Sequence, residues 1–224
     1  MNTPVNDTVG ATGKVKQSIM VWDMPVRVFH WLLVICFAGA WLTSESERLA
    51  MIHYAFGYTA GLLVLIRLVW GVIGTRYARF RQFLKSPKAV MGHFMAMLRG
   101  HPHQDVGHNP AGGLVMFALM LLILLIGFTG YLTVKEFFGN FASEMHEAIA
   151  SLALALVILH ICAAILMSVL ERQNLVKSMV DGRKLGMPEQ GIRYPQYLIG
   201  SLIFLSAIYF FYLTLSGGLP SLTQ

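Results

Sequence analysis

Four histidines, His30, His53, His146 and His160, fall inside or at the edge of long apolar stretches. An imidazole is costly in an apolar medium, and one found there usually bonds a neighbouring helix, sits at the interface or binds a metal. One such residue decides nothing, but four permit a test by spacing. His146 and His160 are fourteen residues apart. On a helix that is about 21 Å of axial rise, and fourteen steps return to within about 40° of the same face. One face thus carries two imidazoles at two depths. His53 opens one apolar stretch as His146 opens another, so these two share a level. His30 precedes Thr43, the end of its own stretch, by thirteen residues, or about 20 Å, and so shares a level with His160. Two facing imidazoles in a helix bundle are a common way to hold a b-type haem. The spacing therefore predicts two non-covalent haem b groups, one between His53 and His146 and one between His30 and His160.

Arg67 is the one cation deep in an apolar stretch. It follows His53 by fourteen residues, which places it about 21 Å further along, at the level of His30 and His160. A guanidinium there calls for a carboxylate. The apolar stretches offer none at that depth, whereas haem propionates would supply one. The alternative is snorkelling to the headgroups, since Arg67 stands within about two turns of the helix end. Gly57 and Gly61 follow His53 at steps of four, and Gly127 and Gly130 interrupt a later stretch. They suit a flat macrocycle and a closely packed helix equally well. Cys36 and Cys162 belong to no C-x-x-C-H motif, which leaves covalent haem attachment unsupported, and both read as small buried hydrophobes. The chain has no zinc-type cysteine cluster, phosphate loop, dinucleotide fingerprint or nucleophile elbow, and no residue is assigned a catalytic role. His93, His101, His103 and His108 lie together in one polar loop. His101-Pro102-His103 has no carboxylate or cysteine at ligand spacing and reads as solvated.

The elements that must position these residues are membrane helices. Of 224 residues, 56% are hydrophobic and 12% charged, where a soluble domain carries about 25% charged. Five apolar blocks, about Arg27 to Thr43, Ile52 to Gly74, Gly113 to Val134, His146 to Leu170 and Tyr197 to Ser216, match the roughly 20 residues that cross a bilayer core. Pro25 is well placed to start the first helix. Nothing in the pattern suggests a closed barrel. The expected fold is an all-α integral membrane protein, a four-helix haem-binding bundle with a fifth C-terminal transmembrane helix. The polar first eighteen residues do not read as a signal peptide, so the first helix is expected to be retained. Basic residues cluster in the N-terminal arm (Lys14, Lys16, Arg27), between blocks two and three (Arg76, Arg79, Arg81, Lys85, Lys88, Arg99) and between blocks four and five (Arg172, Lys177, Arg183, Lys184, Arg193). The other side carries Glu45, Glu47, Glu136, Glu144 and Glu147 beside Arg48 and Lys135. The positive-inside rule then puts the N-terminus in the cytoplasm and the C-terminus in the periplasm of a bacterial inner membrane. The net charge of +6 is accounted for as a topology signal, and no nucleic-acid partner is expected. The division expected is a cytoplasmic arm 1–22, a di-haem bundle 23–172, a cytoplasmic loop 173–196, and an added helix with a short tail 197–224. Val90 to Leu98 is amphipathic enough for a short interfacial helix.

Certain runs also resemble a known family. They are Val21-Trp22-Asp23 followed by Arg27-Val28-Phe29-His30-Trp31; His53 with Gly57-Tyr58, Arg67, Trp70 and Gly71; Gly107-His108-Asn109-Pro110 with Gly112-Gly113; and His146-Glu147 followed by His160. Over Val21 to Leu170 the chain resembles the prokaryotic cytochrome b561 family, which includes the cytochrome b subunit of nickel–iron hydrogenases. The resemblance implies the same pairing, His30 with His160 and His53 with His146. It also implies electron transfer between membrane quinone and a periplasmic redox protein, such as a c-type cytochrome or a hydrogenase-like subunit, within a respiratory chain. His108 lies near the start of the third helix, but a role for it at a quinone pocket has no support in the sequence. The alternative is an oxidoreductase acting directly on a small molecule, such as superoxide, with quinone as co-substrate. Shorter members end after the fourth helix; the fifth here has no histidine and is assigned no haem.

Overall fold

The computed structural model describes residues 15–82, 86, 88, 91, 92, 95, 106–219 and 222. His93, His101 and His103 lie outside the described residues, as does most of the expected interfacial helix from Val90 to Leu98. The described chain forms helices α1 (Met24–Thr43), α2 (Ala50–Ile73), α3 (Pro110–Val134), α4 (Asn140–Leu170), α5 (Leu175–Asp181) and α6 (Tyr197–Leu215). All but α5 are long and apolar enough to cross a membrane.

Local chemistry sets several ends. The Asp23 carboxylate accepts from the Val26 amide at 2.9 Å, with Pro25 in the first turn of α1. Asn109 caps α3 in the same way, accepting from the Gly112 amide at 2.6 Å, with Pro110 as its first residue. Each cap satisfies a donor that has no partner within its helix. The helices reach further than the apolar blocks: α3 starts three residues earlier than expected and α4 six. A polar first turn carries no hydrophobic signal, so hydropathy understates a helix that runs on beyond the apolar zone.

Packing is uneven. α1 and α2 form one antiparallel pair and α3 and α4 another, with α2 joining the pairs through α3. The added helix α6 lies against α1 and α2. One core cluster joins Phe29 and Cys36 of α1, Leu63 and Val64 of α2, Met120 and Ile123 of α3, and Ile203 and Ala207 of α6. Missing side chains permit close approach in two places. A Cβ on Gly39 would sit 2.4 Å from the Phe56 ring, and one on Gly200 would sit 2.5 Å from Cγ of Met24. No residue of α4 belongs to the cluster; α4 packs along α3 and barely touches α1 and α2. Cys36 is buried as expected, but Cys162 is exposed. It lies on a helix packed along one flank, which leaves its other sides facing outward.

A second departure is at one end of the bundle. Residues read as a polar arm and a loop form an antiparallel sheet, β1 (Gln17–Met20) on β2 (Arg183–Gly186), with Gln17 opposite Gly186 and Met20 opposite Arg183. Four-residue strands are too short to show alternation, and the partners are more than 160 positions apart. Ile19, Val21, Trp22, Val26, Tyr77 and Ala78 form a second buried cluster beneath this sheet. The indole of Trp31 donates to the Met179 carbonyl at 3.0 Å, that of Trp22 to the Ser178 hydroxyl at 3.3 Å, and the Arg27 guanidinium to the Val180 carbonyl. These bonds tie α5 to α1. This is the sheet end; the α3–α4 turn marks the opposite, hairpin end.

Candidate functional site

The gap between α4 and the α1–α2 pair is where the four histidines stand, all half-buried. Near the hairpin end, the rings of His53 on α2 and His146 on α4 lie 6.1 Å apart between centroids, with planes 73° apart. His53 Nδ1 is 2.9 Å from the Ala40 carbonyl oxygen, and His146 Nδ1 is 3.1 Å from that of Ile126. A carbonyl only accepts, so each Nδ1 carries the proton and each Nε2 keeps a lone pair. Ala40 lies in the last turn of α1, where carbonyls have no helical donor, so the helix end itself orients His53. His146 reaches Ile126 because Gly130 has no side chain: a Cβ there would stand 3.1 Å from Cε1 and 3.3 Å from Nδ1 of the ring.

Two neutral imidazoles with their Nδ1 protons engaged would each offer Nε2 to a metal held between them. With a metal–nitrogen bond of about 2.0 Å and a centroid roughly 1.1 Å beyond the nitrogen, such a pair stands about 6.2 Å apart. The observed 6.1 Å fits. A Cβ on Gly57, Gly61 or Gly127 would meet nothing within 4 Å. Gly57 and Gly61 therefore border open space one and two turns along α2 from His53, where a flat group has room. Among the described residues no three His, Cys, Asp or Glu side chains converge on a metal position.

Toward the sheet end, His30 of α1 and His160 of α4 are close enough to interact electrostatically, and His30 Nδ1 is buried with no hydrogen-bond partner. Arg67 stands at this level and is only 2% exposed, so it does not snorkel outward. Its Nη2 donates to the Ala78 carbonyl at 2.8 Å and its guanidinium lies 5.2 Å from the Phe80 ring centroid. Nε and Nη1 are buried without a partner. The sequence suggested no acidic side chain within its reach, but Asp23, just below α1, acts on it electrostatically. Asp23 is itself fully buried, accepting from Val26, from the Trp70 indole at 3.0 Å and from the Thr75 hydroxyl at 2.6 Å. Asp23 thus offers Arg67 no hydrogen bond, and Nε and Nη1 stay unpartnered.

His108 joins this level, a placement that sequence left vague. Its ring lies 4.5 Å from that of Trp22. Burial first, then the charges of Arg67 and Lys184 and the nearby His160 and His30, push its pKa down to about 3. It is therefore an uncharged imidazole at neutral pH. The sequence signals were its position just before the Asn109 cap and its place in the Gly107-His108-Asn109-Pro110 run.

Comparison with known proteins identifies the family. A probable Ni/Fe-hydrogenase B-type cytochrome subunit of Rhizobium leguminosarum bv. viciae is 24% identical over 225 residues, covering 80% of this chain and 94% of the relative. The protein of that name from Cupriavidus necator is 23% identical, over 80% of this chain and 92% of its own length. The probable Ni/Fe-hydrogenase 1 B-type cytochrome subunit of Escherichia coli K12 is 27% identical over 141 residues, 52% of this chain and 60% of the relative. No solved structure matches. The model of one family, prokaryotic cytochrome b561, matches residues 21–182, a span that holds all four histidines, Arg67 and the helices carrying them: the chain belongs to the prokaryotic cytochrome b561 family.

Proposed function

We propose that this chain is a di-haem b-type cytochrome that carries electrons between membrane quinone and a redox protein docked at the hairpin end. Family membership implies haem b. The observation that carries the reading is the His53–His146 pair, 6.1 Å apart with both Nδ1 atoms held by backbone carbonyls. A bis-imidazole haem iron supplies one-electron exchange without a change of ligands. The chain's own task is positional. Ala40 and Ile126 fix the tautomers, Gly130 seats the His146 ring, and Gly57, Gly61 and Gly127 keep the adjoining space open. Arg67 offers Nε and Nη1 to a carboxylate at the His30–His160 level, as a haem propionate would require.

The two levels are fourteen residues apart on an unbroken α4, about 21 Å, which supports transfer across most of a bilayer core of about 30 Å. Residues 23–172 are the haem-bearing unit in this reading. The basic sheet end faces the cytoplasm, following the positive-inside rule, so the hairpin end meets the periplasm. The names of the relatives make a nickel–iron hydrogenase the first partner to test. Exposed Glu45, Glu47, Glu144 and Glu147 surround the hairpin end, and contact steered by them weakens with salt.

The test is haem content and turnover. Purified protein should contain two acid–acetone-extractable haems per chain with low-spin, six-coordinate spectra. In liposomes they should be reduced or oxidised by quinol or quinone analogues. One haem per chain would remove the di-haem reading. Failure of every quinone to exchange electrons, with superoxide turned over instead, would replace transfer to a partner by direct small-molecule chemistry.

A further inference from the structure

At the sheet end, the close of α2 and the start of α6 meet around a groove of about 340 Å³ that includes Thr75, Arg76, Ile192, Arg193, Tyr194 and Gln196. We propose that this groove is a headgroup site for an anionic phospholipid.

Three observations meet here. The first is charge. Arg76 and Arg193 both line the groove, and among the described residues no carboxylate does. Arg76 lies over the Tyr77 ring, 5.4 Å from its centroid, which aligns the guanidinium while leaving its N–H edges open. Asp23, the acid bonded by Thr75, is fully buried beneath and already engaged by three donors. Two guanidiniums uncompensated by the walls favour a phosphate with net negative charge over a zwitterionic headgroup.

The second is position. Val72 and Ile73 close α2, and Tyr197 and Leu198 open α6, all strongly exposed. Both helices are long and apolar enough to span a membrane, so these side chains lie where acyl chains run, a few residues along the chain from Arg76 and Arg193. Tyr194, also exposed, adds an amphipathic ring at the level where tyrosine collects in membrane proteins. Basic pockets between transmembrane helices are where anionic headgroups bind. A free phosphate would use the arginines and nothing of the apolar rim.

The third is backbone. Gln196 adopts φ +59, a left-handed conformation that non-glycine residues hold only when the surroundings impose it. The Pro195 carbonyl accepts from the Met24 amide at 2.7 Å. Together they turn residues 191–196 back across the end of α2, and that turn brings Arg193 to the groove shared with Arg76.

The site is independent of the haem reading: it is lined by residues 75–76, after α2, and 191–196, before α6, and by none of the four histidines or Arg67. The full chain in detergent micelles would be titrated by native mass spectrometry with phosphatidylglycerol, with phosphatidylcholine and with inorganic phosphate. Phosphatidylglycerol should bind roughly tenfold more tightly than phosphatidylcholine. Arg76→Gln with Arg193→Gln should abolish the preference, and each single change should reduce it. Arg76→Lys with Arg193→Lys should keep much of it, which shows that charge and not folding is read, and Arg48→Gln at the hairpin end should leave it intact. Equal binding of the two lipids, a preference that survives both glutamine changes, or full displacement of lipid by equimolar inorganic phosphate would each overturn the proposal.

Discussion

The four histidines differ in how firmly the chain holds them. His53 and His146 each spend a proton on a backbone carbonyl, whereas His30 Nδ1 is buried without a partner. His53→Ala or His146→Ala should therefore remove the haem near the hairpin end and leave most of the other; His30→Ala or His160→Ala should do the reverse. Redox titration followed in the visible spectrum resolves the two, and loss of one and the same haem from His30→Ala and His146→Ala would break the pairing. Arg67 calls for a separate test. It is buried, with one nitrogen on the Ala78 carbonyl and two unpartnered. Arg67→Leu removes a positive charge beside the His30–His160 level. The haem there should shift to lower potential, because the oxidised form then loses less by repulsion. An unchanged potential at that level, with the chain folded, would show that Arg67 serves packing alone.

At the scale of elements, α4 is the helix most dependent on its site. It gives nothing to the main core cluster and faces α1 and α2 through His146 and His160. Gly130→Ala separates helix stability from site geometry. Alanine in place of glycine favours a helix by about 1 kcal/mol, but its Cβ would lie 3.1 Å from the His146 ring. The variant should keep or gain thermal stability while the haem near the hairpin end changes its electron paramagnetic resonance g-values. Unchanged g-values would mean that the ring has room the structure does not give it. The α3–α4 turn holds Glu136 at φ 55, the left-handed residue of a Schellman close in which the Phe137 amide donates to the Leu132 carbonyl and the Glu136 amide to that of Thr133, both at 3.0 Å; no such bond explains Phe138 at φ 65.

The whole molecule is a multi-pass membrane bundle closed at one end by a small sheet. β1 belongs to the segment before α1 and β2 to the segment before α6, so the sheet ties the start of the bundle to the added helix. Ile19 is 5% exposed at the centre of that contact. Ile19→Asp would bury an unpaired carboxylate at a cost of about 3–5 kcal/mol. The expected result is a lower unfolding temperature, with the haem near the sheet end lost before the other on heating. Simultaneous loss of both, at an unchanged temperature, would show that the sheet bears no load.

The apolar blocks alone determined the five helices, because a bilayer core demands long uninterrupted apolar segments and little else resembles them. Helix periodicity also determined the histidine levels, since a regular rise turns residue counts into depths. Neither reaches what lies between elements. That Ala40 and Ile126 orient the imidazoles, that Gly130 serves a ring while Gly57 borders open space, that Asp23 stands near Arg67, and that His108 sits near His30 and His160 all depend on contacts between distant segments. The sheet is the clearest case. Its strands are four residues each, with no local signal, and pairing became possible only when α1 and the α5 segment arrived at the same end of the bundle. Cys162 carries the same lesson in reverse: its apolar helix looked uniformly buried, and only the one-sided packing of α4 left the thiol outside.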